Sequence, residues 1–283
     1  MTHIYLNLKR FDVPDALGGV NRLADPKQWG TLIVEQTQDA LKQYSREETE
    51  FVFYLPEAHI IPAAQALHAD SPIQLGCQGV YREDVAPGQN FGAFTTNRPA
   101  AAVQALGCSS VLVGHCEERQ DKLGIMAQAG AADTKAVNRL LNQEIRAAAA
   151  RGLRVLYCIG EREEEMDRWQ EVLSEQLEIG LSGVDPSGVV IAYEPVWSIG
   201  PGKTPADKKY ITKVARFVKA QTGGIPVVYG GGLKRDNAAM LASIAEIDGG
   251  LIALTRFSGD FGFYPEEYLE IVHLYLKERG VTA

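Results

Sequence analysis

The sequence has no long apolar run and no cluster of basic residues. No stretch approaches the roughly 20 apolar residues that cross a bilayer, and the N-terminus lacks a charged region followed by an apolar signal core. The net charge of −8 is spread along the 283 residues, which leaves no basic stripe for nucleic acid and no cationic amphipathic helix for a membrane. We therefore expect a cytoplasmic protein that binds neither nucleic acid nor membrane.

Cysteine is also scarce, and its spacing fits no metal motif. The four cysteines lie inside or beside apolar runs and form no CxxC pair. Such residues usually behave as small buried hydrophobic side chains, whereas disulfide frameworks and zinc sites show characteristic spacings. The prediction is a protein without a metal, in which the reduced, structural cysteines are Cys77, Cys108, Cys116 and Cys158.

Two glycine motifs that bind nucleotides are absent as well. The run from Tyr193 to Ala206, YEPVWSIGPGKTPA, is rich in glycine. However, Trp197 stands five residues before Gly202, where a phosphate-binding P-loop requires glycine. The first apolar run is not followed by GxGxxG, which disfavours a doubly wound dinucleotide-binding sheet. We expect neither NTPase activity nor an organic cofactor.

What the sequence does contain is a series of eight short apolar runs separated by helix-length stretches. Their continuous Val, Ile and Leu character indicates parallel strands buried on both faces, and 46% hydrophobic residues suffice for one large core. Eight such units predict an α/β fold, a single (β/α)8 barrel that comprises residues 1–283 as one domain. The predicted strands are His3–Leu8, Glu50–Leu55, Ile73–Gln78, Ser110–Gly114, Leu153–Ile159, Val189–Tyr193, Ile225–Tyr229 and Gly249–Leu254.

Polar residues occur where these strands end. The first strand ends with Asn7 and Lys9, the fourth with His115 and Glu117, and the sixth with Glu194. Taken singly, a lysine is more often a surface charge, a histidine a core residue and a strand-end carboxylate a helix cap. Because the carboxyl ends of barrel strands converge, together they supply a base, an electrophile and a positive charge for proton transfer beside a carbonyl. The combination favours an isomerase.

The segment after Glu194 has the composition of a moving lid. Pro195 restricts the backbone at the strand end, whereas Gly200 and Gly202 allow the next residues to hinge or to approach a ligand closely. Closure of such a lid would exclude water from the base.

Several segments are similar to those of one family. YEPVWSIGPGKTPA is similar to a catalytic strand with its lid, VLVGHCEER to a histidine segment, LYCIGE to a fifth strand, YGGGLKRDN with EIDGGLIAL to a seventh and eighth strand, and NLK to an Asn-x-Lys motif. On these segments the chain resembles the triose-phosphate isomerase family over nearly its whole length. The resemblance implies a TIM barrel that isomerises a sugar phosphate through an enediolate without a cofactor.

The resemblance also implies roles for single residues. Glu194 would move a proton between adjacent carbons, while neutral His115 would polarise the carbonyl and shuttle protons. Lys9 would stabilise the developing oxyanion, and Asn7 would help to position the substrate. Glu117 would pair with Lys9 and hold it in place.

The chain departs from the family around the phosphate. The family's serine after YGG is replaced by Gly232, and its Gly-Gly pair at the end of the eighth strand by Ala253 and Leu254. Backbone amides remain, including that of Gly200 in the lid, but the added Cβ groups would crowd a phosphate. Arg256 is the preferred replacement, because a guanidinium group can bind phosphate or carboxylate with two hydrogen bonds.

Other departures have less obvious consequences. We expect Lys234 and Arg235 to be solvated residues at a helix start, and Arg162–Asp167 to be a solvated helix face. The segment Asp121–Asp133 lengthens the connection after the fourth strand, either as a pocket wall or as an elongated surface loop.

The resemblance implies a homodimer with a changed interface. The family's third loop, which supports the neighbouring subunit, here reads FGAFTTNRPA. The glutamate of this loop is matched by Asn97, and the arginine that it meets across the interface by Glu118. The paired change indicates rewired contacts, and dimerisation remains the expectation.

The sequence thus predicts a cofactor-independent aldose–ketose isomerase of a small sugar phosphate. The substrates would be glyceraldehyde 3-phosphate and dihydroxyacetone phosphate, or a related tetrulose phosphate. The alternative is a non-catalytic barrel that binds a sugar phosphate or another metabolite. Joint retention of Asn7, Lys9, His115 and Glu194 favours the enzyme, because binding alone needs no base.

Overall fold

A closed barrel of eight parallel strands forms the centre of the molecule. The computed structural model describes residues 1–199 and 203–281, and its strands pair in chain order until β8 meets β1. This arrangement confirms the predicted (β/α)8 barrel. The strands are β1 Thr2–Asn7, β2 Thr49–Leu55, β3 Ile73–Cys77, β4 Ser110–Val113, β5 Arg154–Ile159, β6 Val189–Tyr193, β7 Val227–Tyr229 and β8 Gly249–Ile252.

Helices connect the strands and cover the barrel. They are α1 Pro26–Leu41, α2 Glu57–Ala66, α3 Ala100–Ala105, α4 Cys116–Gln128, α5 Thr134–Ala150, α6 Trp169–Gly180, α7 Lys208–Thr222, α8 Ala238–Ala242 and α9 Pro265–Glu278. Short 3-10 helices cover Asp15–Leu17, Glu163–Arg168, Pro186–Gly188 and Val196–Ser198. None of the described helices has both the length and the apolar character needed to cross a membrane.

The limits of α7 follow from its flanking residues. The carboxylate of Asp207 accepts a hydrogen bond of 2.7 Å from the amide of Tyr210 and so caps the first turn. Gly223 ends the helix in the left-handed conformation, with φ of 69°. Between them, four buried apolar residues recur at spacings of one, three and four and face the barrel: Ile211, Val214, Ala215 and Val218.

The strands are buried on both faces because they separate two apolar layers. Along β1, Ile4 and Leu6 pack against the helices, whereas Tyr5 belongs to the cluster that fills the barrel. Every residue of β1 and β2 is buried. The continuous apolar runs in the sequence therefore reflect this double burial.

Seven of the eight strands begin or end one or two residues from their predicted limits, and two connecting segments also differ from expectation. β7 begins at Val227, two residues late, because Pro226 has no amide to donate to the sheet. The segment Asp121–Asp133 is largely helical, since α4 continues to Gln128 and only the five residues before α5 form a loop. Arg162–Asp167 is not wholly solvated, because Glu165 is buried and binds Arg162 at 2.8 Å.

Candidate active site

The proposed base and electrophile meet at the carboxyl ends of β4 and β6. Glu194 is 2% exposed, and its Oε2 accepts a hydrogen bond of 3.0 Å from the amide of Cys116. Its Oε1 lies 3.4 Å from Nε2 of His115. A carboxylate and an imidazole that come from positions 79 residues apart therefore form one unit.

The position of His115 at the start of α4 determines its tautomer. Nδ1 of His115 accepts a hydrogen bond of 3.3 Å from the amide of Glu117 and so caps the helix. A ring nitrogen that accepts a hydrogen bond carries no proton, so this bond assigns the ring proton to Nε2. The resulting neutral ring directs a donor towards the same space as Glu194.

Two glycines provide the space that Glu194 occupies. A Cβ added to Gly160 would lie 1.8 Å from the backbone oxygen of Glu194, and one added to Gly230 would lie 2.8 Å from its Cγ. Both distances are far shorter than any normal contact. Sequence analysis assigned no site role to Gly160, because the close approach depends on the pairing of β5 with β6.

Lys9 is held in a strained backbone conformation by polar neighbours. Its φ is 42°, which is uncommon for a residue with a side chain. Oδ1 of Asn7 accepts a hydrogen bond of 3.1 Å from the amide of Lys9, and Nε2 of Gln78 donates to the Lys9 carbonyl at 3.1 Å. Asn7 thus supports Lys9, and Gln78, which follows β3, is a residue that sequence analysis missed.

The expected ion pair between Lys9 and Glu117 does not form in the described part of the chain, where Glu117 is exposed. Its role here is that of a helix residue whose amide binds His115. The turn before α4 is instead fixed by Arg119, which sequence analysis did not single out. The Arg119 guanidinium donates to the carbonyls of Gly114 and Cys158 at 2.8 and 2.9 Å, and to Oδ1 of Asn138 at 2.7 Å.

A buried group of charged residues lies beneath the same turn. Glu118 accepts a hydrogen bond of 2.7 Å from the amide of Gly114, and Lys122 binds both Glu118 at 2.7 Å and Glu144 at 3.0 Å. Burial and the neighbouring Glu118 raise the pKa of Glu144 to about 9. Burial opposes ionisation of Glu118, yet hydrogen bonding to Glu144 and the charge of Lys122 lower its pKa. The two carboxyl groups therefore share one proton.

The first turn of the lid is attached to a buried carboxylate. Oε1 of Glu161, a fully buried residue, accepts hydrogen bonds from Trp197 Nε1 at 2.8 Å, Tyr193 at 2.8 Å and Tyr210 at 3.0 Å. Burial raises the pKa of Glu161. Gly200, the predicted anion-binding residue of the lid, lies outside the described residues.

The loops after β7 and β8 contain the positions expected to bind an anion. Ala253 and Leu254 are half-buried behind β8. Gly232 has φ of 96°, a conformation that a serine would adopt only under strain. Arg256 is already occupied, since its Nε donates to Glu267 at 2.7 Å and its guanidinium carbon lies 3.6 Å from the Tyr264 ring centroid.

Unlike Arg256, Lys234 beside Gly232 has no acidic partner among the described residues. A Cβ on Gly232 would lie 3.3 Å from Cε of Lys234, and the Lys234 ammonium group lies 4.2 Å from the centroid of the Phe257 ring. It forms no salt bridge within residues 1–199 and 203–281, whereas Arg235 binds Glu270 at 2.8 Å. Lys234, which we expected to be only a solvated residue, is thus a cation without an acidic partner in the described part of the chain, beside the predicted anion-binding positions.

A cavity of about 710 Å³ lies beside Cys116, between α4, α5, α6 and the segment after Glu194. Its lining includes Cys116, Leu123, Trp197 and Lys203. Leu123 belongs to the extended part of α4, so this segment forms a pocket wall.

The comparison with known proteins agrees with this geometry. A family model described as triosephosphate isomerase matches residues 26–272. The chain belongs to the triosephosphate isomerase family. Membership makes it an aldose–ketose isomerase.

Several relatives in the triosephosphate isomerase family resemble the chain over most of its length. A triosephosphate isomerase of Pelodictyon phaeoclathratiforme is 36% identical over 212 residues, which cover 71% of this chain and 77% of that protein. One from Synechococcus sp. is 29% identical over 264 residues and covers 92% of each chain. The solved triosephosphate isomerase of Bartonella henselae shares the fold, with a TM-score of 0.69, 24% identity, and coverage of 97% of this chain and 98% of that one.

The shared proton in this triosephosphate isomerase family member predicts a pH-dependent stability. The folded-state pKa of Glu144, about 9, lies above the unfolded value of about 4.3. Between these values the folded protein binds a proton that the unfolded chain has lost, so stability falls as pH rises, by up to about 1.4 kcal/mol per pH unit. Thermal unfolding from pH 6 to 9 should show that Glu144→Gln reduces this decline, because the amide has no proton to lose. Exposed Glu278→Gln should keep it, and equal declines in all three proteins would contradict the shared proton.

Proposed function

We propose that the chain interconverts glyceraldehyde 3-phosphate and dihydroxyacetone phosphate by proton transfer through an enediolate. The observation that carries the proposal is the distance of 3.4 Å between Oε1 of Glu194 and Nε2 of His115 at one mouth of the barrel. The names of the relatives support the triose phosphates as substrates. A tetrulose phosphate remains the second substrate class, because the anion-binding positions differ from the family pattern.

Each polar group has a chemical task in this scheme. The Glu194 carboxylate leaves the Cys116 amide and removes a proton from the carbon beside the carbonyl. His115 donates its Nε2 proton to the carbonyl oxygen, while Lys9 stabilises the negative charge that develops there. Asn7 acts by holding the strained backbone of Lys9. The scheme requires no cofactor, and a purely binding barrel would not require a base.

We propose that Lys234 binds the substrate phosphate, in place of Arg256. The support is that the Lys234 side chain lies over Gly232 while Glu267 holds Arg256. The family's serine hydroxyl is missing at Gly232, and the charge of the Lys234 ammonium group compensates for this lost hydrogen-bond donor. Ala253 and Leu254 then need only leave room for the phosphate. The amide of Gly200 would complete this site upon lid closure.

A homodimer is the assembly that we propose. Phe91, in the loop between β3 and α3, is 85% exposed and has φ of 55°. Glu118 cannot replace the family's interface arginine, because Lys122 and the Gly114 amide hold it inside its own subunit. Apolar contact through Phe91 is the substitute for the missing ion pair with Asn97. The four free cysteines accord with a cytoplasmic, reducing location.

Replacement of the base tests the proton-transfer scheme. Glu194→Gln should lower kcat on glyceraldehyde 3-phosphate about 10²–10⁴-fold, because the amide has a similar shape but cannot accept a proton. Thermal melts should show a folded protein, and exposed Glu47→Gln at the opposite end of the barrel serves as the control. Turnover within a few-fold of the wild type would refute the role of Glu194.

A pair of charge removals tests the phosphate site. Lys234→Gln should raise KM for glyceraldehyde 3-phosphate by about 10–100-fold, which corresponds to a charge-assisted bond of 1.5–3 kcal/mol. Arg256→Gln should change KM less, and lower the melting temperature because Glu267 loses its partner. Steady-state kinetics that gave the reverse order would assign the phosphate to Arg256.

A charged residue introduced into the exposed loop between β3 and α3 tests the proposed homodimer. Phe91→Asp should weaken self-association by about 10–100-fold, since burial of a phenylalanine is worth about 1.5–3 kcal/mol. Sedimentation velocity over a concentration series measures the change, and Leu17→Asp, an exposed residue far from this loop in the chain, is the control. A wild-type protein that sediments as a monomer would exclude the proposal.

A further inference from the structure

Three metal-ligating side chains meet at the candidate active site. His115, Cys116 and Glu194 each offer one ligand atom, and these atoms lie within 4.8 Å of one another. Sequence analysis predicted no metal site, because the three residues form no spaced motif. The fold brings Glu194 against the first residues of α4.

The separations agree with tetrahedral coordination of zinc. Bonds of about 2.1 Å to nitrogen and oxygen and about 2.3 Å to sulfur imply ligand separations of about 3.4 Å for N to O and about 3.6 Å for N to S. Nε2 of His115 lies 3.4 Å from Oε1 of Glu194 and 3.9 Å from Sγ of Cys116. Small side-chain rotations therefore suffice.

We propose that His115, Cys116 and Glu194 bind a zinc ion that inhibits the enzyme in competition with its substrate. The thiolate and the carboxylate neutralise the ion, and water at the mouth takes the fourth position. Binding releases the thiol proton to solvent and moves the ring proton of His115 from Nε2 to Nδ1. Zinc binding therefore breaks the hydrogen bond of 3.3 Å that the Glu117 amide donates to Nδ1 of His115.

The arrangement indicates a reversible site and not a structural one. Burial and the Glu194 carboxylate raise the pKa of the Cys116 thiol to about 12, so the metal must displace its proton, and the positive charge of Lys9 nearby opposes a cation at the same place. The ion also engages the carboxylate and the ring nitrogen that the proton transfer needs. Zinc and substrate consequently exclude each other, whichever sugar phosphate is the substrate.

Cobalt is the spectroscopic probe for the test, because it occupies zinc sites and reports thiolate ligation by near-ultraviolet absorption. Titration of the full-length protein with Co²⁺ should produce this band in the wild type, and Zn²⁺ should remove it. Cys116→Ser should abolish the band and weaken Zn²⁺ binding at least tenfold, since a direct ligand should matter as much as outer-shell groups, whose loss costs about 10–100-fold. Cys108→Ser, which removes a buried cysteine elsewhere, should retain the band.

Kinetics provide the second arm of the experiment. Zn²⁺ should raise KM for glyceraldehyde 3-phosphate without lowering kcat, and Cys116→Ser should lose most of this sensitivity relative to its own metal-free rate. Cys116→Ala replaces the serine variant if that variant misfolds. Absence of the Co²⁺ band in wild type, or its persistence without the Cys116 thiol, would overturn the proposal. Because the band does not require turnover, its result is independent of the proposed isomerase substrate.

Discussion

The burial of the Glu194 carboxylate is the constraint on which the site depends. A buried carboxylate needs polar partners; here the Cys116 amide donates a hydrogen bond to it, and the His115 ring lies 3.4 Å away. The glycines at 160 and 230 must lack side chains so that the carboxylate and its backbone fit. The start of α4, the turn after β5 and the turn after β7 are therefore all arranged around one side chain.

The start of α4 is in turn fixed by residues that contact no substrate. Arg119 binds the Gly114 carbonyl, and Glu118 binds the Gly114 amide, so both polar groups of this glycine are satisfied by side chains of the helix that follows it. Lys122 and Glu144 neutralise Glu118 inside the same subunit. Glu118 is thereby part of the internal support of His115.

At the predicted anion-binding end of the barrel, the structure distinguishes between two cations that could replace the family's phosphate contacts. The positions of Gly232, Ala253 and Leu254 remain together at the mouth, but the guanidinium group of Arg256 is consumed by Glu267, which lies on α9. Lys234 lies beside Gly232 without such a partner in the described residues. In the proposed phosphate site, the charge is thus supplied from the β7 loop.

The sequence by itself determined the barrel, because strand burial leaves a local signal. Each strand is covered by helices outside and by side chains inside, so each appears as a short apolar run, as in β6, whose limits Val189–Tyr193 were predicted without error. It also placed Glu194 and His115 at the same end of the barrel, after different strands. Tertiary structure decided which charges pair: among the described residues, Lys9 is not joined to Glu117, Arg256 is bound by Glu267, and Lys234 has no acidic partner. The physical reason is that ion pairs and metal-ligand clusters depend on distances of 3–4 Å between residues far apart in the chain, which periodicity cannot encode.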